Sequence, residues 1–284
     1  MKLLPIYVER PDFNLTLGVL NMKSFYVPSD LFNIDANPKT IKGQKYGFKT
    51  LVLYLAPHTL SGFNVCPMAE IAGCVAPCLN EAGNPMYAES KRKGRLNKTL
   101  YFLNARDKFL NHAAREILRE YGKAQDYKIL VRMNGTSDIR WELESFNLDP
   151  KLAAKLGVKP GRYDNIMSLF PNVQFYDYTK IPNRHSIPAN YDLTFSYSGV
   201  LGFQKHVQKA IQSGLRVAVV FRDKKTIPES FMGLECVDGD ETDIRHLDPK
   251  GCVVALYAKG PAKKDFSGFV VDTDKKVIQL KLAA

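Results

Sequence analysis

Several common signatures are missing from this chain. No apolar run approaches the roughly 18 to 20 residues that a membrane span needs, so no transmembrane helix and no membrane partner is expected. The phosphate-cradling G-x-x-x-x-G-K, the dinucleotide-binding G-x-G-x-x-G and the zinc-protease H-E-x-x-H do not occur, which removes the readily recognised nucleotide and metalloprotease readings. There is no internal repeat, low-complexity tract or Ser/Gly linker, so residues 48–284 are expected to form one domain, with 1–47 as an N-terminal segment packed on it. The opening MKLLPIYVERP reaches Glu9 and Arg10 before a signal-peptide core can form, which points to the cytoplasm. Cysteine is scarce, with five residues, and an odd count without an export signal argues against a disulfide framework. With 45% hydrophobic and 24% charged residues, what is present reads as an ordinary folded protein.

Charge is biased toward one sign. The 40 basic and 29 acidic side chains give a formal +11, which suits an anionic partner such as nucleic acid. The densest patch is KRKGRLNK, where Lys91, Arg92, Lys93 and Arg95 are candidate phosphate contacts. The same residues also suit a solvated loop or helix start, since no interleaved stacking aromatics accompany them.

Six apolar segments read as strands: Thr50 to Ala56, Tyr127 to Met133, Asn172 to Tyr178, Tyr191 to Tyr197, Leu215 to Phe221 and Cys252 to Ala258, each rich in β-branched or aromatic residues. Helical patterns lie between them. In NARDKFLNHAAREILREYG, Phe109, Ala113 and Ile117 share a face by i, i+4 spacing, and FQKHVQKAIQSG pairs Val207 with Ile211 before stopping at Gly214. Alternation of this kind predicts an α/β fold with parallel strands, and about six strand–helix units favour a partial (β/α) TIM-like barrel over an open doubly wound sheet. In either architecture the working residues sit past the carboxyl ends of the strands. Those ends here are polar, with Asn134, Gly135, Thr136 and Asp138 after the second predicted strand, Asp177 and Lys180 at the third, Ser196 and Ser198 at the fourth, and Arg222 with Asp223 at the fifth.

Three of the five cysteines fall within the thirteen residues CPMAEIAGCVAPC, in the loop after the first strand of the predicted domain. Thiolates bind zinc and iron–sulfur clusters most readily. The C-x7-C-x3-C spacing does not match the paired hooks of structural zinc, which would also need a fourth ligand, and His58 is the candidate for it. Three thiols in one loop suit a [4Fe-4S] cluster held by Cys66, Cys74 and Cys78, with one iron open to a small ligand. Zinc, and chance clustering without metal, remain as alternatives. Cys236 and Cys252 are expected to be small buried apolar residues.

The words IKGQKYGFKTLVLYLAPHTLSGFNVCPMAEIAGCVAPCLNEAG, RMNGTSDIRWE, NIMSLFPNVQFYDYTKIPNR, YDLTFS, VAVVFR and GDETDIRHLDPKG, from about Lys39 onward, resemble the bacteriophage gene product 88 family of viral iron–sulfur proteins. That resemblance implies a phage-encoded cluster binder, in the host cytoplasm or carried with the virion. A looser resemblance is to radical S-adenosylmethionine (SAM) enzymes, which hold a three-cysteine [4Fe-4S] cluster after the first strand of a partial barrel. It implies SAM as a ligand at the open iron, with the turn at Asn134, Gly135 and Thr136 holding the cofactor's amino group. The superfamily spacing is C-x3-C-x2-C, which differs from the spacing here, and Pro77 stands where an aromatic usually precedes the last cysteine.

Two features remain ambiguous in sequence. DGDETD, Asp238 to Asp243, gathers four carboxylates that suit Mg²⁺, an amine or a solvated turn. Trp141 suits either a lid or a core anchor. Two functions follow: an enzyme whose cluster activates SAM or another small ligand, with Asn134, Thr136, Asp138, Asp177, Lys180 and Arg222 binding its polar parts, or a non-enzymatic iron–sulfur protein that binds a phage or host partner or nucleic acid.

Overall fold

The computed structural model describes residues 25–35, 37–81 and 85–273. Its centre is a nine-stranded, mostly parallel sheet. The strands are β1 (Phe32–Ile34), β2 (Phe48–Leu53), β3 (Lys128–Arg132), β6 (Gln174–Thr179), β7 (Tyr191–Ser196), β8 (Arg216–Phe221), β9 (Ser230–Phe231), β10 (Leu234–Asp238) and β11 (Val253–Tyr257). A separate hairpin pairs β4 (Phe146–Leu148) with β5 (Gly161–Tyr163). The order across the sheet is β1-β2-β3-β6-β7-β8-β11-β10-β9. From β2 to β11 the parallel strands therefore follow one another in chain order, without the reversal that defines a doubly wound sheet. Antiparallel β1 and β9 form the two edges, and among the described residues no pairing joins them into a closed barrel.

All six expected strands are present, and β10 adds a seventh parallel member. Helices are less regular than the alternation predicted. Between β2 and β3 lie α2 (Ala88–Asn104) and α3 (Arg106–Lys123), between β3 and β6 the short α4 (Pro150–Leu156), and between β7 and β8 α5 (Gln204–Gln212). Residues 180–190 join β6 to β7 without a helix, and the β9–β10 hairpin intervenes between β8 and β11. Residues 25–47 supply β1 and α1 (Pro38–Gly43); the rest of the expected N-terminal segment, 1–24, and residues 274–284 lie outside the described residues.

The period-2 geometry of strands divides the sheet into two unlike faces. One carries Leu51, Leu53, Ile129, Val131, Phe175, Leu193, Phe195, Val217, Val219, Phe221, Val253 and Ala255, all buried in two apolar clusters. Phe109, Leu110, Ala113, Ala114 and Ile117 of α3 join the first, as their spacing predicted; of the predicted α5 pair, Val207 joins the second and Ile211 packs partly buried against it, with Ala210 as a further buried member. Trp141 is fully buried against Phe102 and Phe109, so it anchors the core and does not cover a site. On the opposite face the parallel register aligns Arg132, Tyr176 and Tyr178, Thr194 and Ser196, then Arg216, Ala218 and Val220.

Candidate functional site

On that second face lies a cavity of about 650 Å³. It is lined mainly by the ends of β3, β6, β7, β8 and β11, by residues 134–138, and by the loop that follows β2. Cys66, Cys74 and Cys78 all line it, together with Met68, Ala69 and Pro77 from the same loop.

The cysteine loop is shaped by its own backbone and clamped from outside. Cys66 O accepts from Ala69 N–H, and Ala69 O from Cys74 N–H, which curls the chain around the thiols. Ser198 Oγ donates to Ala72 O (2.7 Å) and Ser267 Oγ to Gly73 O (3.3 Å). Gly73 has φ +63°, and a Cβ there would stand 2.9 Å from Val200, so both conformation and space require glycine. From the other side, Asp138 N–H donates to Val65 O, and the Cys66 thiol faces Thr136 O at 3.7 Å. The turn after β3 and the cysteine loop are therefore one packed unit.

Two backbone N–H groups point at sulfur: His58 N to Cys66 Sγ (3.3 Å) and Asn80 N to Cys78 Sγ (3.4 Å). Burial pushes the Cys66 thiol up to about 12 against the help of the His58 N–H, and Asp138 and the other two cysteines push the same way. Burial also raises Cys74, while the Lys180 ammonium pulls it back. These mutual effects place the three thiols, Lys180 and Asp138 in one electrostatic neighbourhood. Both shifts favour the protonated thiol over the thiolate. Among the described residues, no three His, Cys, Asp or Glu side chains are grouped as ligands of a single metal ion.

The polar residues at the strand ends separate into those that face the cavity and those that do not. Asn134, Gly135, Thr136, Asp138 and Lys180 line it. Lys180 Nζ donates to Ser196 O and Oγ and lies over the Phe269 ring (4.7 Å). Asp138 accepts from Thr179 Oγ1 and Lys180 N–H, both 2.8 Å, and burial raises its pKa. Asn134 Oδ1 accepts from Ser137, Ile139 and Trp141, so its carbonyl is committed to shaping the turn. At Gly135 a Cβ would stand 2.6 Å from the Tyr54 ring and 2.7 Å from Leu53 O, which explains glycine in the middle of that turn.

Asp177 and Arg222 do not belong with these residues. Strand alternation turns Asp177 to the helix-covered face, where it is fully buried and accepts from Asn134 N–H (2.7 Å), Asn134 Nδ2 (3.2 Å) and Tyr191 O–H (2.7 Å). It supports the turn from beneath. Arg222 reaches Asp272 and the carbonyls of Lys263 and Asp265, and stacks on Phe266, so it fastens the segment after β11.

The remaining candidates resolve as follows. The His58 ring bonds Glu70 and Thr59 and does not line the cavity; only its backbone reaches a cysteine. KRKGR lies in α2, with Lys93 paired to Glu89, whereas Arg95 leaves that strip, donating to Asn80 Oδ1 (2.6 Å) and covering the Tyr54 ring at 4.8 Å. Of DGDETD, only Asp240 and Asp243 reach the cavity, and both hold cations. Cys252 is buried and Cys236 half-buried, both among apolar neighbours. Cavity residues that the sequence reading missed, Lys39, Arg132, Tyr178 and Lys259, sit on α1, on strands read only for their apolar character, or beyond a strand end.

A mostly parallel sheet whose strand ends and first loop line a cavity with three cysteines in its wall defines an α/β protein. The chain belongs to the gene product 88 family of bacteriophage proteins, whose profile matches residues 31–273. No curated protein and no solved structure matches it. Among the described residues, no helix is long and apolar enough to cross a membrane.

Proposed function

We propose that this chain is an iron–sulfur protein in which Cys66, Cys74 and Cys78 hold a [4Fe-4S] cluster whose open iron faces the cavity. The observation that carries this is that all three thiols line one large cavity at the carboxyl end of the sheet. The donor set fits. Hydrogen bonds to cysteine sulfur are among the levers by which a protein tunes such a cluster, and the N–H groups of His58 and Asn80 are aimed at two of the sulfurs. A four-ligand zinc site would need His58 as its fourth ligand, and that ring is turned to Glu70 and Thr59 and does not line the cavity.

Under this proposal the sheet curves as a partial barrel around the cavity. The unreversed strand order and the polar, small side chains on the cavity side support that geometry. When bound, the cluster would supply Lewis-acid or one-electron chemistry at its open iron. The protein's share is positional: the turn at Asn134, Gly135 and Thr136 braces the cysteine loop, Lys180 offsets negative charge beside Cys74, and the surrounding walls restrict water. SAM is the candidate ligand for the space in front of the cluster, with phage proteins acting in the host cytoplasm as the setting. A second reading, an iron–sulfur protein that docks on a phage or host partner without catalysis, is favoured by Leu60, Phe63, Ile71, Val75 and Leu79, apolar residues exposed along the cysteine loop.

Protein purified without oxygen tests both readings. About four irons and about four sulfides per chain are expected, with visible and EPR spectra that shift on adding SAM. Iron without any response to SAM would leave the docking role, and zinc in place of iron would remove the cluster.

A further inference from the structure

Away from the cysteines and Lys180, the cavity carries a set of charges that the cluster does not use. Lys39 Nζ and Lys259 Nζ both bind Asp240 Oδ1, at 2.6 and 2.7 Å. Arg132 Nη1 pairs with Asp243 at 2.9 Å, and Asp243 also accepts from the hydroxyls of Tyr176 and Tyr178. Around the whole cavity four cations, Lys39, Arg132, Lys180 and Lys259, face three carboxylates, Asp138, Asp240 and Asp243.

Two ammonium groups share a single carboxylate oxygen here, and three cations stand beside two carboxylates, so this side of the cavity carries more positive than negative charge. The cations also sit on aromatic walls. Arg132 lies 4.7 Å from the Tyr178 ring centre and Lys259 4.4 Å from Tyr257, and both tyrosines line the cavity. Cations held in this way present their remaining donors to a ligand at little conformational cost.

We infer that the Lys39, Arg132 and Lys259 side of the cavity binds an anionic group, phosphate or carboxylate, of a small-molecule ligand. Arg132 contributes the directional donors, and the two lysines act as point charges. This inference shares the cavity with the reading above and does not require the cluster.

Titration calorimetry of the full chain at low salt, with inorganic pyrophosphate and separately with malonate, tests it. Binding of at least one is expected, weakening as salt is raised; the stronger of the two identifies the anion class. Arg132→Gln should weaken binding by about tenfold or more, as expected for losing a charge-assisted hydrogen bond. Lys259→Gln, at a half-exposed side chain, should weaken it less and keeps the test intact if the arginine variant does not fold. A Cys66→Ser, Cys74→Ser, Cys78→Ser protein should still bind the anion, so loss of iron and loss of this site are told apart. No heat with either anion, or undiminished binding in Lys259→Gln and in folded Arg132→Gln, would overturn the proposal.

Discussion

Along β8, Val217, Val219 and Phe221 enter the apolar layer under α5, while Arg216, Ala218 and Val220 turn to the other side. The same split recurs on β6, where Phe175 packs into the core and Tyr176 and Tyr178 bind Asp243. One face is filled by close packing. The other uses tyrosine, arginine and small side chains, leaving room for a cavity and fixing its walls by hydrogen bonds and ion pairs. The helix-covered face should therefore carry most of the folding free energy and, under the proposed function, the cavity face would carry the ligand and metal chemistry.

The largest expected effect is on the packed face. Phe109 is fully buried against Tyr101, Phe102 and Trp141, so Phe109→Ala should destabilise by about 3–5 kcal/mol in urea titration. Iron bound per folded chain should hardly change. Loss of iron in the folded fraction of that variant would break the division between faces.

Gly135 lies where the faces meet. A methyl group there meets Tyr54 and Leu53 O, and overpacking of this kind costs about 1–3 kcal/mol. Unlike Phe109→Ala, Gly135→Ala should also lower iron content, because displaced Thr136 no longer supports Cys66. Wild-type iron content together with unchanged stability would show that the turn does not brace the loop.

Asp177 sharpens the comparison through pH. Burial raises its carboxyl from 3.8 to about 7, against the opposing donors of Tyr191 and Asn134. Between those values the folded chain holds more protons at this group than the unfolded chain does, so its contribution to stability falls as pH rises through that window. Urea midpoints measured from pH 4 to 8 should show a shallower decline in Asp177→Asn than in wild type. Parallel profiles would mean that Asp177 does not titrate in this range.

The last test falls on the cavity face. Tyr178→Phe removes the donor to Asp243 Oδ1, while Arg132 and Tyr176 stay on Oδ2, and leaving that buried oxygen unsatisfied should cost about 1–3 kcal/mol. A loss as large as that of Phe109→Ala would mean that both faces carry the fold.

The six central strands and the amphipathic helices α3 and α5 were legible because burial imposes a period on their apolar residues. α2 was not. Its first half is basic, and its buried residues, Asn97 and Thr99 to Phe102, form one short stretch without a repeating apolar face. The β9–β10 hairpin turns through Met232 and Gly233, both at positive φ, and Phe-Met-Gly-Leu carries none of the Asn-Gly or Asp-Gly signals of such turns. The cysteine loop and the Asn134–Asp138 turn were legible as strand-end segments, and both line the cavity. Asp177 and Arg222 were misjudged because position at a strand end does not say which face a side chain takes, nor what a later segment will bring against it.

The sequence by itself determined the parallel α/β core, the place of the cysteines after its first strand, and the glycines that let the loops turn, since each follows from local periodicity or backbone sterics. Only the tertiary structure decided that Lys39, Arg132, Asp240, Asp243 and Lys259 share a cavity with those cysteines. They are drawn from α1, β3, the turn after β10 and the segment after β11, and charges that far apart in the chain meet only because parallel pairing sets those elements side by side.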